Sequence, residues 1–340
     1  MNEHTVNVLV HYDLGESHIA DLQALSARVH ISHFPKTPFK DVPAEAIQTA
    51  EVLLTAKSLP EPEQAPNLRW IQFTFAGIDF VKDSPLLERE GFQATSLSGA
   101  IAPKAAEYAL MALLAIGHRL PDMTAHQQQA TWLADRWERF QPQELRGSTI
   151  GLLGYGSIAR ELARLLQPLE VTILATKRNL KQLQDEGYTP PGTGDPDGIL
   201  FNRMYPPEAL HSMLGQCDFV VVCLPLTDDT LHTLDAGALQ AMKPGACLVA
   251  LGRGGQVDED ALAQALHSGN LGGAVLDVFE SEPLPPESPL WQTPNLIITP
   301  HIAGNTRHYA ERVCELFSHN LRRYLKGEPL LNVFDPRKGY

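Results

Sequence analysis

The stretch Ser148-Thr149-Ile150-Gly151-Leu152-Leu153-Gly154-Tyr155-Gly156-Ser157-Ile158-Ala159 decides the fold. Its first half, 148–153, is an apolar run of strand character, and Ile158, Leu162, Leu165 and Leu166 then mark one face of a helix. A G-x-G-x-x-A turn joins the two. In that setting Gly154 permits the tight turn, Gly156 lets backbone approach a pyrophosphate, and Ala159 keeps helix and strand close. With Tyr155, Ser157 and Ile158 the turn presents the amides of a helix N-terminus to phosphate oxygens. A tight strand-to-helix turn with no ligand is the competing reading.

Working outward, 171–175 supplies the second strand of the unit, and 219–224, 247–251, 273–276 and 296–299 repeat the pattern, each bounded by turn residues. Five or six parallel strands make a doubly wound sheet. Upstream, short apolar runs at 6–10, 52–54 and 70–75 alternate with helically spaced stretches, which implies parallel strands again. The alanine- and leucine-rich segment 107–118 reads as a mostly buried helix linking two domains. Residues 180–207, with Pro190-Pro191-Gly192 and Pro206-Pro207, read as a surface loop or elaborated connection. An amphipathic helix over 307–326 ends at Gly327-Glu328-Pro329.

At 340 residues the chain exceeds what one core usually serves, so two domains are expected. A hydrophobic fraction of 44% and a charged fraction of 20% are ordinary for a globular protein. The net charge is -13 and the basic residues are scattered, which argues against nucleic acid and anionic membrane as partners. Cys217, Cys223, Cys247 and Cys314 show no C-x-x-C pair, so neither a disulfide framework nor a metal site is expected. Met1-Asn2-Glu3-His4-Thr5 does not open a leader peptide, and no apolar run reaches membrane-spanning length, so the expected location is cytoplasmic.

Chemistry concentrates at strand ends, where a parallel sheet places its ligands. Arg253, in Gly252-Arg253-Gly254-Gly255, follows one strand and His301, in Thr299-Pro300-His301, follows another. A guanidinium can grip a carboxylate with two prongs, and an imidazole oriented by a carboxylate is a general acid or base. By position alone Glu280 and Glu282 are equal candidates for that carboxylate. Asp277 ends another strand and is placed to meet a nicotinamide carboxamide. Asp258 reads instead as a helix N-cap. A dinucleotide turn and a proton relay in one chain point to hydride transfer. Beyond the second strand of the unit, where a NAD site usually carries Asp or Glu about twenty residues past the glycines, stand Thr176-Lys177-Arg178. Lys177 and Arg178 suit a 2'-phosphate, so NADP(H) is favoured and NAD(H) remains possible. A solvated loop edge, or Arg178 stacked on adenine, are the alternatives. Phe73 and Phe75 suggest an apolar wall, with one of them expected in the core.

Taken together, Leu145-Arg146-Gly147, Gly151-Leu152-Leu153-Gly154-Tyr155-Gly156-Ser157-Ile158, Leu224-Pro225-Leu226-Thr227, Met242-Lys243-Pro244-Gly245, Gly252-Arg253-Gly254-Gly255-Gln256-Val257-Asp258, Leu276-Asp277-Val278-Phe279-Glu280, Glu282-Pro283-Leu284 and Thr299-Pro300-His301-Ile302-Ala303-Gly304 closely resemble the D-isomer-specific 2-hydroxyacid dehydrogenases over nearly the whole chain. The resemblance implies a Rossmann cofactor domain over 101–301 inserted into a discontinuous flavodoxin-like substrate domain over 1–100 and 302–340. It implies Arg253, Glu282 and His301 as the catalytic residues, choosing Glu282 over Glu280. Leu224, Pro225, Gly252, Arg253, Asp277, His301 and Gly304 join the cofactor contacts, and the Ala76 and Gly77 amides, with Arg253 and His301, hold the substrate. The implied reaction moves a hydride between NAD(P)H and a small 2-oxo acid to give a D-2-hydroxy acid, with His301 as acid and base. A homodimer with 132–140 as its arm is also implied. Departures are Ala159 for a third glycine, Gly252 where alanine is frequent, and Lys177 for the ribose-binding aspartate, the last resembling NADP-preferring glyoxylate/hydroxypyruvate reductases. Two rivals share the scaffold: a nucleotide-sensing corepressor-like protein, and a dehydrogenase of phosphite or formate.

Overall fold

Two sheets, parallel throughout, organise the computed structural model, which describes residues 4–340. The first three residues, read above for a leader, lie outside the described residues. The chain divides into one unit of Met1–Ile101, Glu186–Pro190 and Thr306–Tyr340 and another of Ala102–Asp185 and Pro191–Asn305.

The first unit holds β1 (Val6–His11), β2 (Val29–His33), β3 (Val52–Thr55), β4 (Trp70–Phe73) and β5 (Gln93–Thr95), in the flavodoxin-like order β2-β1-β3-β4-β5. The helix Tyr309–Lys326 joins this sheet because Val313, Leu316, Phe317 and Leu321 fall on one face at helical spacing and all are buried. Trp70 anchors it, with its ring 5.3 Å from Phe317 and 5.5 Å from Tyr324. Its indole N–H donates to Thr95 Oγ1 at 2.8 Å, so this large apolar side chain is buried without an orphaned donor.

In the second unit β6 (Thr149–Leu153), β7 (Thr172–Thr176), β8 (Arg203–Tyr205), β9 (Phe219–Val222), β10 (Ala246–Ala250), β11 (Leu271–Leu276) and β12 (Leu296–Ile298) run in the order β12-β11-β10-β9-β6-β7-β8. In this sheet the strand beyond the sequence expectation is β8, a three-residue edge strand paired only to β7. It lies inside 180–207, where no apolar run announces it. The linking helix starts earlier than expected, at Ala102, and packs on the helix Ser157–Leu166, with Ala105, Ala109 and Ala112 buried there. Small side chains allow that close approach.

Residues 180–207 are an anchored connection, not a simple surface loop. Arg160, with 1% of its area exposed, donates to the carbonyls of Asp195 and Leu183 at 2.5 Å each, and its guanidinium lies 4.9 Å from the Tyr155 ring centroid. Buried Asp195 accepts from the Tyr155 hydroxyl at 2.7 Å and from the amides of Ile199 and Leu200 at 3.0 and 2.9 Å. Buried Glu161 accepts from Gly194 N at 2.6 Å and holds Arg164 through two bonds. Within this stretch, Glu186–Pro190 belongs to the first unit, where Tyr188 N donates to Asn332 Oδ1 at 3.0 Å.

All four cysteines are reduced, and burial pushes the thiols of Cys217 and Cys247 up to about 12, as suits inert packing residues. Among the described residues no helix is long and apolar enough to cross a membrane, and no group of His, Cys, Asp and Glu is arranged to hold a metal.

Candidate active site

In the second unit the strand order reverses between β6 and β9, and ligands of such sheets bind beyond the carboxyl ends of the strands at that point. The glycine turn follows β6, Lys177 and Arg178 follow β7, and Leu224 and Pro225 follow β9. Gly252 and Arg253 follow β10, Asp277 follows β11, and His301 and Gly304 follow β12. One edge of one sheet therefore carries every candidate of this unit except Glu282, which returns to that edge from the loop after β11.

The two glycines of the turn are required for different reasons. At Gly154, with φ at 85°, a Cβ would stand 2.9 Å from Leu224 Cδ2 and 3.2 Å from the Cys223 carbonyl, so the protein's own packing demands glycine. The turn is seated on β7, with Gly154 N donating to Thr176 Oγ1 and Tyr155 N to the Thr176 carbonyl, both at 3.0 Å. At Gly156 a Cβ would meet nothing within 4 Å. Nothing inside the protein requires glycine there, and the space it leaves lies against the first turn of the helix Ser157–Leu166, where amides face outward. That space fits a pyrophosphate. Ala159 is fully buried against the sheet. Lys177 N donates to the Tyr205 carbonyl at 3.1 Å, while the Arg178 guanidinium stands 3.4 Å from Asp229 on the surface. The residues that end β7, Thr176, Lys177 and Arg178, include no Asp or Glu.

His301 Nδ1 lies 2.7 Å from Glu282 Oε2, and Glu282 Oε1 accepts from Phe279 N at 3.1 Å. A carboxylate only accepts, so Nδ1 carries hydrogen and Nε2 is left to exchange a proton. Glu280 is engaged elsewhere, 2.9 Å from His232 Nε2, so geometry distinguishes the two glutamates that spacing could not. His301 has φ at 51°, a left-handed backbone that a side chain with Cβ resists. Asp277, 1% exposed, holds it there by accepting from the amides of the next two residues, Ile302 and Ala303, at 2.9 and 2.8 Å. It also accepts from Thr299 Oγ1 at 2.7 Å. Since that hydroxyl gives its one hydrogen to Asp277, the 2.5 Å contact between Thr299 and Tyr108 is a donation from the Tyr108 phenol. Burial, above the other influences, pushes Tyr108 up to about 12, which keeps it a neutral donor. Asp277 has at most one acceptor position left, so much of it serves the His301 loop.

Arg253 is set by Gln256, which is fully buried. The Gln256 Oε1 accepts from Arg253 N at 3.1 Å and its Nε2 donates to the Leu224 carbonyl at 2.7 Å, tying the loop after β10 to the end of β9. Arg253 Nη1 also donates to the Gly252 carbonyl at 2.9 Å. No pattern in the sequence marks Gln256, Thr299 or Tyr108 as a site residue. The one signal for Gln256 is an amide between a glycine turn and apolar Val257. Asp258 caps its helix as expected, accepting from Ala261 N at 2.9 Å.

Ala76 and Gly77 belong to the first unit, half-buried in the loop after β4. Of the two phenylalanines there, Phe73 is core and Phe75 is 37% exposed.

A family model described as "D-isomer specific 2-hydroxyacid dehydrogenase, NAD binding domain" matches residues 110–303. Glyoxylate reductase of Thermofilum pendens is 34% identical over 269 residues, covering 78% of this chain and 74% of that protein. (S)-Sulfolactate dehydrogenase of Chromohalobacter salexigens is 40% identical over 195 residues, covering 57% and 59%. The crystal structure of a D-isomer specific 2-hydroxyacid dehydrogenase from Xanthobacter autotrophicus Py2, in complex with NADPH and MES, superposes with a TM-score of 0.80 at 27% identity over 99% of this chain and 100% of that one.

Proposed function

The chain belongs to the D-isomer specific 2-hydroxyacid dehydrogenase family, and from that premise we propose that it reduces a small 2-oxo acid to the D-2-hydroxy acid, a bound nicotinamide dinucleotide supplying the hydride. His301 gives the proton. The observation that carries this role is the His301–Glu282 pair, with Nδ1 committed to the carboxylate and Nε2 without a partner among the described residues. In reduction the ring starts as the imidazolium, its charge offset by the Glu282 carboxylate, and Nε2 gives its proton to the substrate oxygen as negative charge develops there; in oxidation Nε2 of the neutral ring takes that proton. Arg253, its backbone fixed by Gln256, grips the substrate carboxylate and polarises the carbonyl. The Ala76 and Gly77 amides complete that grip, a role supported by the family resemblance of their loop.

For the dinucleotide we infer NADP(H) over NAD(H). Support comes from Lys177 and Arg178 at the end of β7, in a Thr-Lys-Arg run with no Asp or Glu of its own, and from the similar structure solved with NADPH. The Arg178 contact with exposed Asp229 is a surface pair of small energy, readily exchanged for a phosphate. A homodimer through 132–140 is supported by Trp132 and Trp137, 86% and 81% exposed, with the Arg136 guanidinium beside both rings. Four reduced cysteines support a cytoplasmic setting, and the net charge of -13 supports a small-molecule partner over nucleic acid.

One panel tests the reading: consumption of NADPH and NADH with glyoxylate, hydroxypyruvate, pyruvate and phenylpyruvate, beside reduction of NAD(P) by formate and phosphite. Turnover with a 2-oxo acid, faster with NADPH, is expected. Turnover only with formate or phosphite would replace the 2-oxo acid by another small anion.

A further inference from the structure

We propose that Lys57 recognises a second anionic group on the substrate, so that the preferred 2-oxo acids are dianions with a carboxylate or sulfonate beyond the carbonyl carbon. This rests on the reading that Arg253 and the Ala76 and Gly77 amides take the shared carboxylate.

The placement follows from register. β3 and β4 are parallel neighbours with Thr55 opposite Phe73, and the carboxyl ends of such strands gather ligands. Two residues beyond Thr55 is Lys57. Two beyond Phe73 is Phe75, followed at once by Ala76 and Gly77. The Lys57 Nζ stands 5.7 Å from the Phe75 ring centroid, so the cation lies beside the loop that reads as the carboxylate holder.

The loop that bears this lysine is pinned. Ser58 N donates to Thr55 Oγ1 at 3.2 Å, and Ser58 Oγ lies 3.1 Å from His11 Nδ1. His11 Nε2 is 2.8 Å from the Thr37 carbonyl, which only accepts, so Nε2 carries hydrogen. In the neutral ring Nδ1 then accepts from the Ser58 hydroxyl. The lysine backbone is thereby fixed from β1, and Phe75 gives its long stem a surface to lie along.

Its charge is uncompensated. The sequence has 40 acidic residues against 27 basic ones, yet among the described residues no carboxylate lies within 4.0 Å of Lys57 Nζ. On the proposed reading the shared carboxylate already has its holders, which leaves the lysine for a different oxyanion.

The test compares kcat/KM of the purified full chain, with NADPH, for oxaloacetate and 3-sulfopyruvate against 2-oxobutyrate, which presents a methyl group in place of the second anion. The wild type should favour the dianions. In Lys57→Met the ratio of dianion to monoanion should fall about fivefold or more, the upper range for one exposed charge pair, and Lys57→Arg should recover most of it. An equal loss on all three substrates would assign Lys57 to the shared carboxylate and overturn the proposal. So would an unchanged ratio in an enzyme that turns over 2-oxo acids. If the wild type reduces no 2-oxo acid at all, the functional reading fails first and takes this inference with it, a result visible without any variant.

Discussion

Two buried aspartates in the second unit do the same physical work for different ends. Asp277 accepts one hydroxyl, from Thr299, and two backbone amides, from Ile302 and Ala303, and so fixes the loop of His301. Asp195 accepts one hydroxyl, from Tyr155, and two backbone amides, from Ile199 and Leu200, and so fixes the connection between β7 and β8. Both replace water around a carboxylate with three fixed donors, which makes burial affordable. They differ in what the fixed loop carries. Beyond Asp277 stands a histidine in a left-handed conformation, 2.7 Å from a glutamate, whereas beyond Asp195 stand exposed Asp197 and then Ile199 and Leu200, with no histidine to present. A buried carboxylate hub is thus a structural device, and chemistry depends on what it positions.

The strongest way to test that contrast is to remove what is positioned. His301→Ala should lower turnover by roughly 10²- to 10⁴-fold, with an unchanged far-ultraviolet circular dichroism spectrum and dinucleotide binding kept within severalfold by fluorescence titration. Unchanged turnover would remove the proton-transfer role. Next come the hubs. Asp277→Ala and Asp195→Ala each strand two amides and a hydroxyl, and each should cost about 3 kcal/mol in denaturant unfolding. Only Asp277→Ala should also lower kcat per folded molecule, by about tenfold or more, because only its loop carries His301. Equal kcat losses would break the comparison, since Asp195 would then act on the chemistry as well.

The contrast also explains what could be read in advance. Runs such as Phe219-Val220-Val221-Val222 and Ala246-Cys247-Leu248-Val249-Ala250 are buried along their whole length and announce themselves as central parallel strands. With the glycine turn they suffice for the fold class. β8 is Arg203-Met204-Tyr205, with Tyr205 in the core but only three residues in all, too short for a side-chain pattern to mark it. At the site, Arg253 and His301 are legible as strand-end residues, but the choice between Glu280 and Glu282 needed either a resemblance or the loop path that sends one to His232 and the other to His301. Lys177 and Arg178 are visible as a missing carboxylate, whereas Gln256 is hidden because its amide spans two loops 32 positions apart in sequence. The Arg160 network is hidden for a related reason. Its partners stand 35 and 23 positions away, and a charged pair on a helix ordinarily reads as a solvated face.

Acid unfolding probes the Asp195 hub more gently. Burial alone would push its carboxyl up, but the Ile199 and Leu200 amides, the Tyr155 hydroxyl and the Arg160 guanidinium together hold it below the ordinary aspartate value. A carboxyl lowered by folding adds stability above its unfolded pKa of about 4 and loses it as pH falls through the folded value. Asp195→Asn cannot ionise, so the stability gap between wild type and variant should be full at neutral pH and narrow below about pH 4. A gap that stays constant down to pH 2 would mean that the carboxylate charge adds nothing to the hub.

The smallest effect is expected where one donor alone is removed. Tyr155→Phe keeps the ring beneath the Arg160 guanidinium, at 4.9 Å, and deletes only the hydroxyl that donates to Asp195. The carboxylate still has two amides, so the loss should be about 1 kcal/mol in denaturant unfolding, well below that of Asp195→Ala. Because Tyr155 also stands in the glycine turn, the same variant shows whether the hub reaches the dinucleotide: a raised KM for NADPH would mean that Asp195 steadies the turn through this hydroxyl. An unchanged KM with the stability loss intact would confine the hub to the connection it pins, and so complete the separation of the two aspartates.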